Sequence, residues 1–212
     1  GSNNTAVGAD SLTTNTTGAS NTGLGATTLL SNTTGTFNTA SGHASLYANT
    51  TASNNTASGY ESLRFNTTGA SNTAIGHQSL RANTTASNNV AVGQAALTAN
   101  TTGTQNIGIG LNALAANTTA NSNVAIGTNA LAANTTGANN TAVGENVMAA
   151  NTEGVNNVAL GYIALDADTL GFQSTALGYA ALSAQNFTSS TPSQNVAVGY
   201  YAGAAVTTGI SN

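Results

Sequence analysis

Lysine, cysteine and tryptophan are absent from this 212-residue chain, and proline occurs once. Charge is scarce as well: two arginines and six acids, 4% of residues, where ordinary domains carry about 25%. Without cysteine there is no disulfide framework and no thiolate metal site. Two arginines cannot supply the clustered cations that nucleic acid or an anionic membrane surface requires. No apolar run approaches the roughly 18 residues that span a bilayer, so direct membrane insertion is not expected. No signal peptide is visible, and Gly1-Ser2 reads as a cloning remnant. With a net charge of −4 and 40% apolar residues, the chain also lacks the signature of disorder.

What it has is a repeat. Asn-Thr-Thr-Gly stands at Asn15, Asn32, Asn66, Asn100 and Asn134, as NTTA at Asn49, Asn83 and Asn117, and as NTEG at Asn151. All are spaced by multiples of 17 residues. Units begin at Asn4 and recur every 17 residues through Ser174, and a twelfth begins at Asn195, displaced by four extra residues. Their consensus is N-T-A-V-G-x-x-A-L-x-A-N-T-T-G-x-x. The fifth position is glycine in every unit, including Gly8, Gly25, Gly76 and Gly93. A glycine without exception marks a place where no Cβ fits or φ is positive.

Helices are excluded by the recurrent glycine and by β-branched Thr and Val. The reading is two short strands and two corners per unit, stacked as a parallel β-solenoid (β-roll or β-helix) of twelve 17-residue rungs. The fold class is all-β, and residues 1–212 form one domain with a loop insertion at 186–194. At about 4.8 Å per rung the rod is on the order of 55–60 Å long. Asn15, Asn32, Asn83, Asn100 and their equivalents form a ladder of stacked amides at the NTTG turn.

Two large apolar columns accompany the glycine. One runs Val7, Leu24, Ile75, Val92 and on to Val198, interrupted by Ser41 and Ser58; the other runs from Leu12 to Leu182. The third position is never larger than alanine (Ala6, Gly23, Ala40 and so on). It alternates with the Val/Ile column, so the two lie on opposite faces of one strand. The expectation is Val/Ile in the chain's own core and Ala/Gly packed against neighbouring chains, in a homotrimer about the rod axis.

Units such as NTAVGADSL, NTAIGHQSL and NVAVGQAAL resemble repeats of bacterial and phage tail-fibre-like proteins and of the heads of trimeric autotransporter adhesins. The likeness covers essentially the whole chain, although its 17-residue unit is longer than the adhesin-head unit. It implies a trimeric, left-handed parallel β-roll or β-helix outside a cell or virion, used for attachment or spacing.

Catalytic chemistry needs convergent polar groups, and none are evident. Asp10, Glu61, Glu145, Glu153, Asp166 and Asp168 read as solvated surface acids, with Asp166 and Asp168 the one pair suited to a calcium shell. No catalytic, cofactor-binding or metal-binding residue is assigned. The pattern is diversified in two places. His43, Tyr60 and His77 share one repeat position and Tyr47, Arg64 and Arg81 another; Tyr162, Tyr179 and Tyr200 form a further column beside Tyr201. These are the candidate receptor or glycan contacts, against the alternative of surface variation on a shaft. The Asn-x-Thr sequons, also present at Asn3, Asn54, Asn139 and Asn186, are explained by the turn without glycosylation. The insertion around Phe187–Gln194 should project as a loop, its Pro192 unable to donate to a ladder. The expected function is a non-enzymatic shaft or adhesin segment of an extracellular, cell-surface or virion fibre that binds itself and a surface glycan or receptor. The alternatives are an ice-binding solenoid presenting Thr16-Thr17-type columns and a self-assembling filament or functional amyloid.

Overall fold

The structure is a computed structural model that describes residues 1–212. It contains no helix, and its contacts group into residues 1–105 and 106–212. The first stretch holds β1 (Thr5–Val7), β2 (Thr22–Leu24), β3 (Thr39–Ser41), β4 (Thr56–Ser58), β5 (Thr73–Ile75) and β6 (Val90–Val92). Each pairs in parallel with the next, residue on equivalent residue, as Thr5↔Thr22 and Thr73↔Val90 illustrate. The second stretch holds β7 (Ile107–Ile109), β8 (Val124–Ile126), β9 (Thr141–Val143), β10 (Val158–Leu160), β11 (Gly171–Phe172), β12 (Thr175–Leu177), β13 (Thr191–Pro192) and β14 (Val196–Val198). Here β7 pairs β8, then β8 pairs β9 and β9 pairs β10 in parallel. Across the insertion β10 pairs β12 and β12 pairs β14, while β11 pairs β13 in a separate two-stranded sheet. A parallel β-solenoid with a 17-residue turn is therefore the fold.

Each turn has one repeating strand, not two. The expected second strand is replaced by a run of bends in which three non-glycine residues take left-handed φ; in the turn from Asn72 these are Gln78 (56°), Leu80 (51°) and Asn88 (62°). Left-handed residues cannot continue a pleated strand. The bends still bond turn to turn: Leu80 N–H donates to Ala96 O (2.9 Å) and Ala82 N–H to Thr98 O (3.0 Å).

The two strand faces are the reverse of expectation. Ala40, Ala57, Ala74 and Ala91 point inward and are fully buried, while Ile75 points outward and is 43% exposed; in the second stretch Ala159 is buried and Leu160 is 51% exposed. The small third residue is required by the chain's own interior. At Gly23 an added Cβ would lie 2.5 Å from Ser11 Oγ and 2.8 Å from Thr28 Oγ1. Those hydroxyls belong to the adjoining wall of the solenoid, so a residue as large as valine does not fit inside. The interior width is filled instead by the leucine column, with Leu29, Leu46, Leu63 and Leu80 buried in the first stretch and Leu114, Leu131, Met148 and Leu165 in the second.

Candidate functional site

Two long columns of stacked amides run through the interior of the solenoid, and a short half-buried stack, Asn112 on Asn129 on Asn146, lies outside them. Asn66 Nδ2 donates to Asn49 Oδ1 (3.1 Å) and to Gly69 O (2.9 Å), and its Oδ1 accepts from Asn83 Nδ2 (2.8 Å). That is the expected ladder at the NTTG turn, to which Asn15, Asn32 and Asn100 also belong. The second column is the first residue of each unit. Asn55 Nδ2 also donates to Gly69 O (2.9 Å), and Asn55 Oδ1 accepts the backbone N–H of Asn72 (2.9 Å). Two amides thus clamp one inward-turned carbonyl, and the arrangement recurs at Gly35 and Ala52 and at Gly137 and Gly154. The sequence signal for this second ladder was the Asn that begins nearly every unit.

Burial of the ladder decides the sequons. Asn32, Asn49, Asn66, Asn83 and Asn134 are fully enclosed, whereas Asn3, Asn54, Asn139 and Asn186 are exposed. The first threonine of each turn is also occupied. Thr33, Thr50 and Thr67 donate their hydroxyls to the carbonyls of Thr50, Thr67 and Thr84, at 3.0 to 3.1 Å. The second threonine, as at Thr34, Thr51 and Thr68, is exposed.

The diversified turns place their unusual residues together. The rings of His43 and Tyr60 stack with centroids 5.5 Å apart and those of Tyr60 and His77 at 5.4 Å, nearly parallel at 13° and 10°. Glu61, expected on the surface, is only 5% exposed. Its carboxylate accepts from Arg64 Nη1, from Arg81 Nε (2.7 Å) and from Gln78 Nε2 (3.1 Å). Burial pushes the Glu61 carboxyl up, but the bonds from Arg81 and Gln78 and the charges of both arginines outweigh it and hold the group below its usual value. The guanidinium carbon of Arg64 lies 5.8 Å from the Tyr47 ring and 5.2 Å from that of Phe65, and Arg81 lies 4.9 Å from Phe65.

The tyrosine column stacks likewise, Tyr162 on Tyr179 at 5.4 Å and Tyr179 on Tyr200 at 5.2 Å, with Tyr201 edge-on to both Tyr179 and Tyr200. A hydrogen bond with Tyr201 holds the Tyr179 hydroxyl above its ordinary range, with the charge of Tyr201 and burial adding to it. In both columns the rings face one another along the stack, because successive turns are one strand spacing apart.

Asp168 is a second acid that is not solvated. It is 1% exposed and takes the ladder position of an asparagine, accepting from Gly171 N–H (3.1 Å), Phe187 N–H (3.1 Å) and Gln185 Nε2 (2.7 Å). Asp166 is half-buried, and burial raises its carboxyl above the usual range against bonds from its own and the Ala167 backbone. The insertion does not project throughout: Phe187 and Ser193 are buried and Thr191–Pro192 forms β13, while Thr188, Ser189 and Ser190 are the exposed run. Pro192 sits at an edge where no ladder bond is asked of its nitrogen.

The remaining distinctive surface is the outward face of the repeating strands, which carry Thr, Val or Ile at the first position and Val, Ile or Leu at the third, with Ser41 and Ser58 the exceptions and no charged residue among them. Comparison with protein-family models, with curated proteins and with solved structures gives no significant match.

Proposed function

We propose that this chain is a non-enzymatic structural segment of a fibre at the outer surface of a cell or virion, serving attachment or spacing, and that it associates with copies of itself as a homotrimer. The observation that carries the reading is the outward strand face. Residues such as Ile75, Leu160 and Val198 stand exposed there (43%, 51% and 68%) in a chain that buries its two ladders of asparagine. Exposed contiguous apolar surface marks an interaction site. A second copy is the occupant that fits best. It presents the same side chains at the same axial repeat, and a face without charge meets its symmetry mate without like-charge repulsion. The test is mass by sedimentation or light scattering. A discrete trimer is expected; Ile75→Lys should convert it to monomer while the far-ultraviolet circular dichroism stays unchanged. A monomeric wild-type chain ends this reading, and open-ended growth in mass identifies the filament alternative.

One observation favours a second reading. The outward column begins with five threonines, Thr5, Thr22, Thr39, Thr56 and Thr73, repeating once per turn. Such a row is the surface an ice-binding solenoid would use. The Thr16 column is less suited, because Thr16 spends its hydroxyl on Thr33 O (2.9 Å). Thermal hysteresis that disappears in Thr39→Lys selects this alternative; freezing behaviour like that of an inert protein removes it.

A further inference from the structure

Both arginines and both histidines of the chain fall between His43 and Arg81, within three consecutive turns. Glu61 is the only acid in those turns, and one arginine would balance it. The second leaves a surplus positive charge on a chain whose net charge is −4. The arginines also have donors to spare. Arg64 commits Nη1 to Glu61, and its Nη2 makes no bond within the chain; Arg81 commits Nε, and its two terminal nitrogens make none. Both side chains are about a third exposed (31% and 33%), and Phe65 lies against both guanidinium groups with 39% of its own surface exposed. The buried carboxylate thus holds two guanidinium groups in place beside an aromatic ring, which is pre-organisation for an anion carried on a partly apolar body.

Building on the attachment role, we infer that Arg64, Phe65 and Arg81 form a contact site for an acidic polysaccharide. The guanidinium groups take a carboxylate or sulfate of one sugar unit, and Phe65 packs on the adjacent apolar sugar face. Nucleic acid fits poorly, since two cations neutralise too few phosphates. An extended peptide fits poorly too: β3, β4 and β5 are each paired on both sides and leave no strand edge for it to join.

The test is affinity electrophoresis of the full chain through gels holding polygalacturonate, dextran sulfate or unmodified dextran. Retardation by polygalacturonate, dextran sulfate or both is expected, falling as salt rises, with none by dextran; the two acidic arms separate carboxylate from sulfate. Arg81→Gln, which keeps the Arg64–Glu61 pair, should weaken retardation about tenfold or more. The triple variant Glu61→Gln, Arg64→Gln, Arg81→Gln should abolish it while keeping the parent's far-ultraviolet circular dichroism. It removes every charge of the cluster and leaves no buried carboxylate unpaired. No retardation by either acidic polymer, equal retardation by dextran, or undiminished retardation of Arg81→Gln overturns the inference. None of these results changes the oligomeric mass, so failure here and failure of the fibre reading are distinguishable.

Discussion

Gly76 has φ +133°, and a Cβ placed on it would lie 2.5 Å from Gly93 O. Its equivalents from Gly8 to Gly199 share the conformation, between +115° and +138°, which accounts for a glycine in every unit. Gly76→Ala should cost about 2–3 kcal/mol in urea unfolding, whereas alanine at exposed Thr68 should fall within about 0.5 kcal/mol of wild type. The asparagine clamp is equally local, since Gly69 O turns inward and needs partners that a buried amide can bring. Glu61 is the residue that makes stability depend on acid. Its folded-state carboxyl is held below the ordinary value of 4.5, so its contribution is present above that value and is lost as pH falls through the lowered one. Asp166, raised by burial, acts in the opposite sense and favours the folded state as pH falls. Melting temperature should therefore fall more steeply below pH 4.5 in the parent than in Glu61→Gln; equal slopes would show that the two arginines do not bias this carboxyl.

At the scale of the strand, only three residues pair in each turn, and their alternation sets two environments side by side. The middle residue is enclosed in the interior and is small, at Gly23 close against Ser11 and Thr28, while its neighbours face out. Buried leucine and outward isoleucine should then respond in opposite ways. Leu80→Ala opens a cavity in the only large apolar column and should cost about 3 kcal/mol by denaturant unfolding. Ile75→Lys should leave monomer stability within about 1 kcal/mol, because its side chain already stands in solvent. A large loss of fold on Ile75→Lys with little on Leu80→Ala would reverse the assignment of faces. The bends that replace a second strand were not legible, since Leu80 at φ 51° is a conformation that its residue type disfavours and that only the surrounding packing imposes.

For the molecule as a whole, the period is the organising quantity. Each turn touches its neighbours through the same bonds, so stability is close to a sum over turns and interfaces. Removing residues 56–72, one complete turn, should give a folded protein with an unchanged circular dichroism signature. Removing eight residues from the same region should not, because the shortened turn could not bring its strand, its glycine corner and its asparagine turn into register with the turns on either side at once. Proteolysis and thermal melting distinguish the two.

The sequence by itself determined the 17-residue turn, the parallel stacking, the glycine position, the buried leucine column and the asparagine ladder of the NTTG turn. All of these follow from identical residues recurring at a fixed interval. Only the tertiary structure decided that the alanine face lies inside and the valine-isoleucine face outside. Alternation says which side chains share a face; which face is enclosed depends on how far apart the solenoid walls stand, and at Gly23 the opposite wall, Ser11 and Thr28, is too close for a Cβ. The same holds for Glu61 and Asp168, acids that composition places in water and that neighbouring turns enclose by bringing donors from 17 to 20 residues away in the chain.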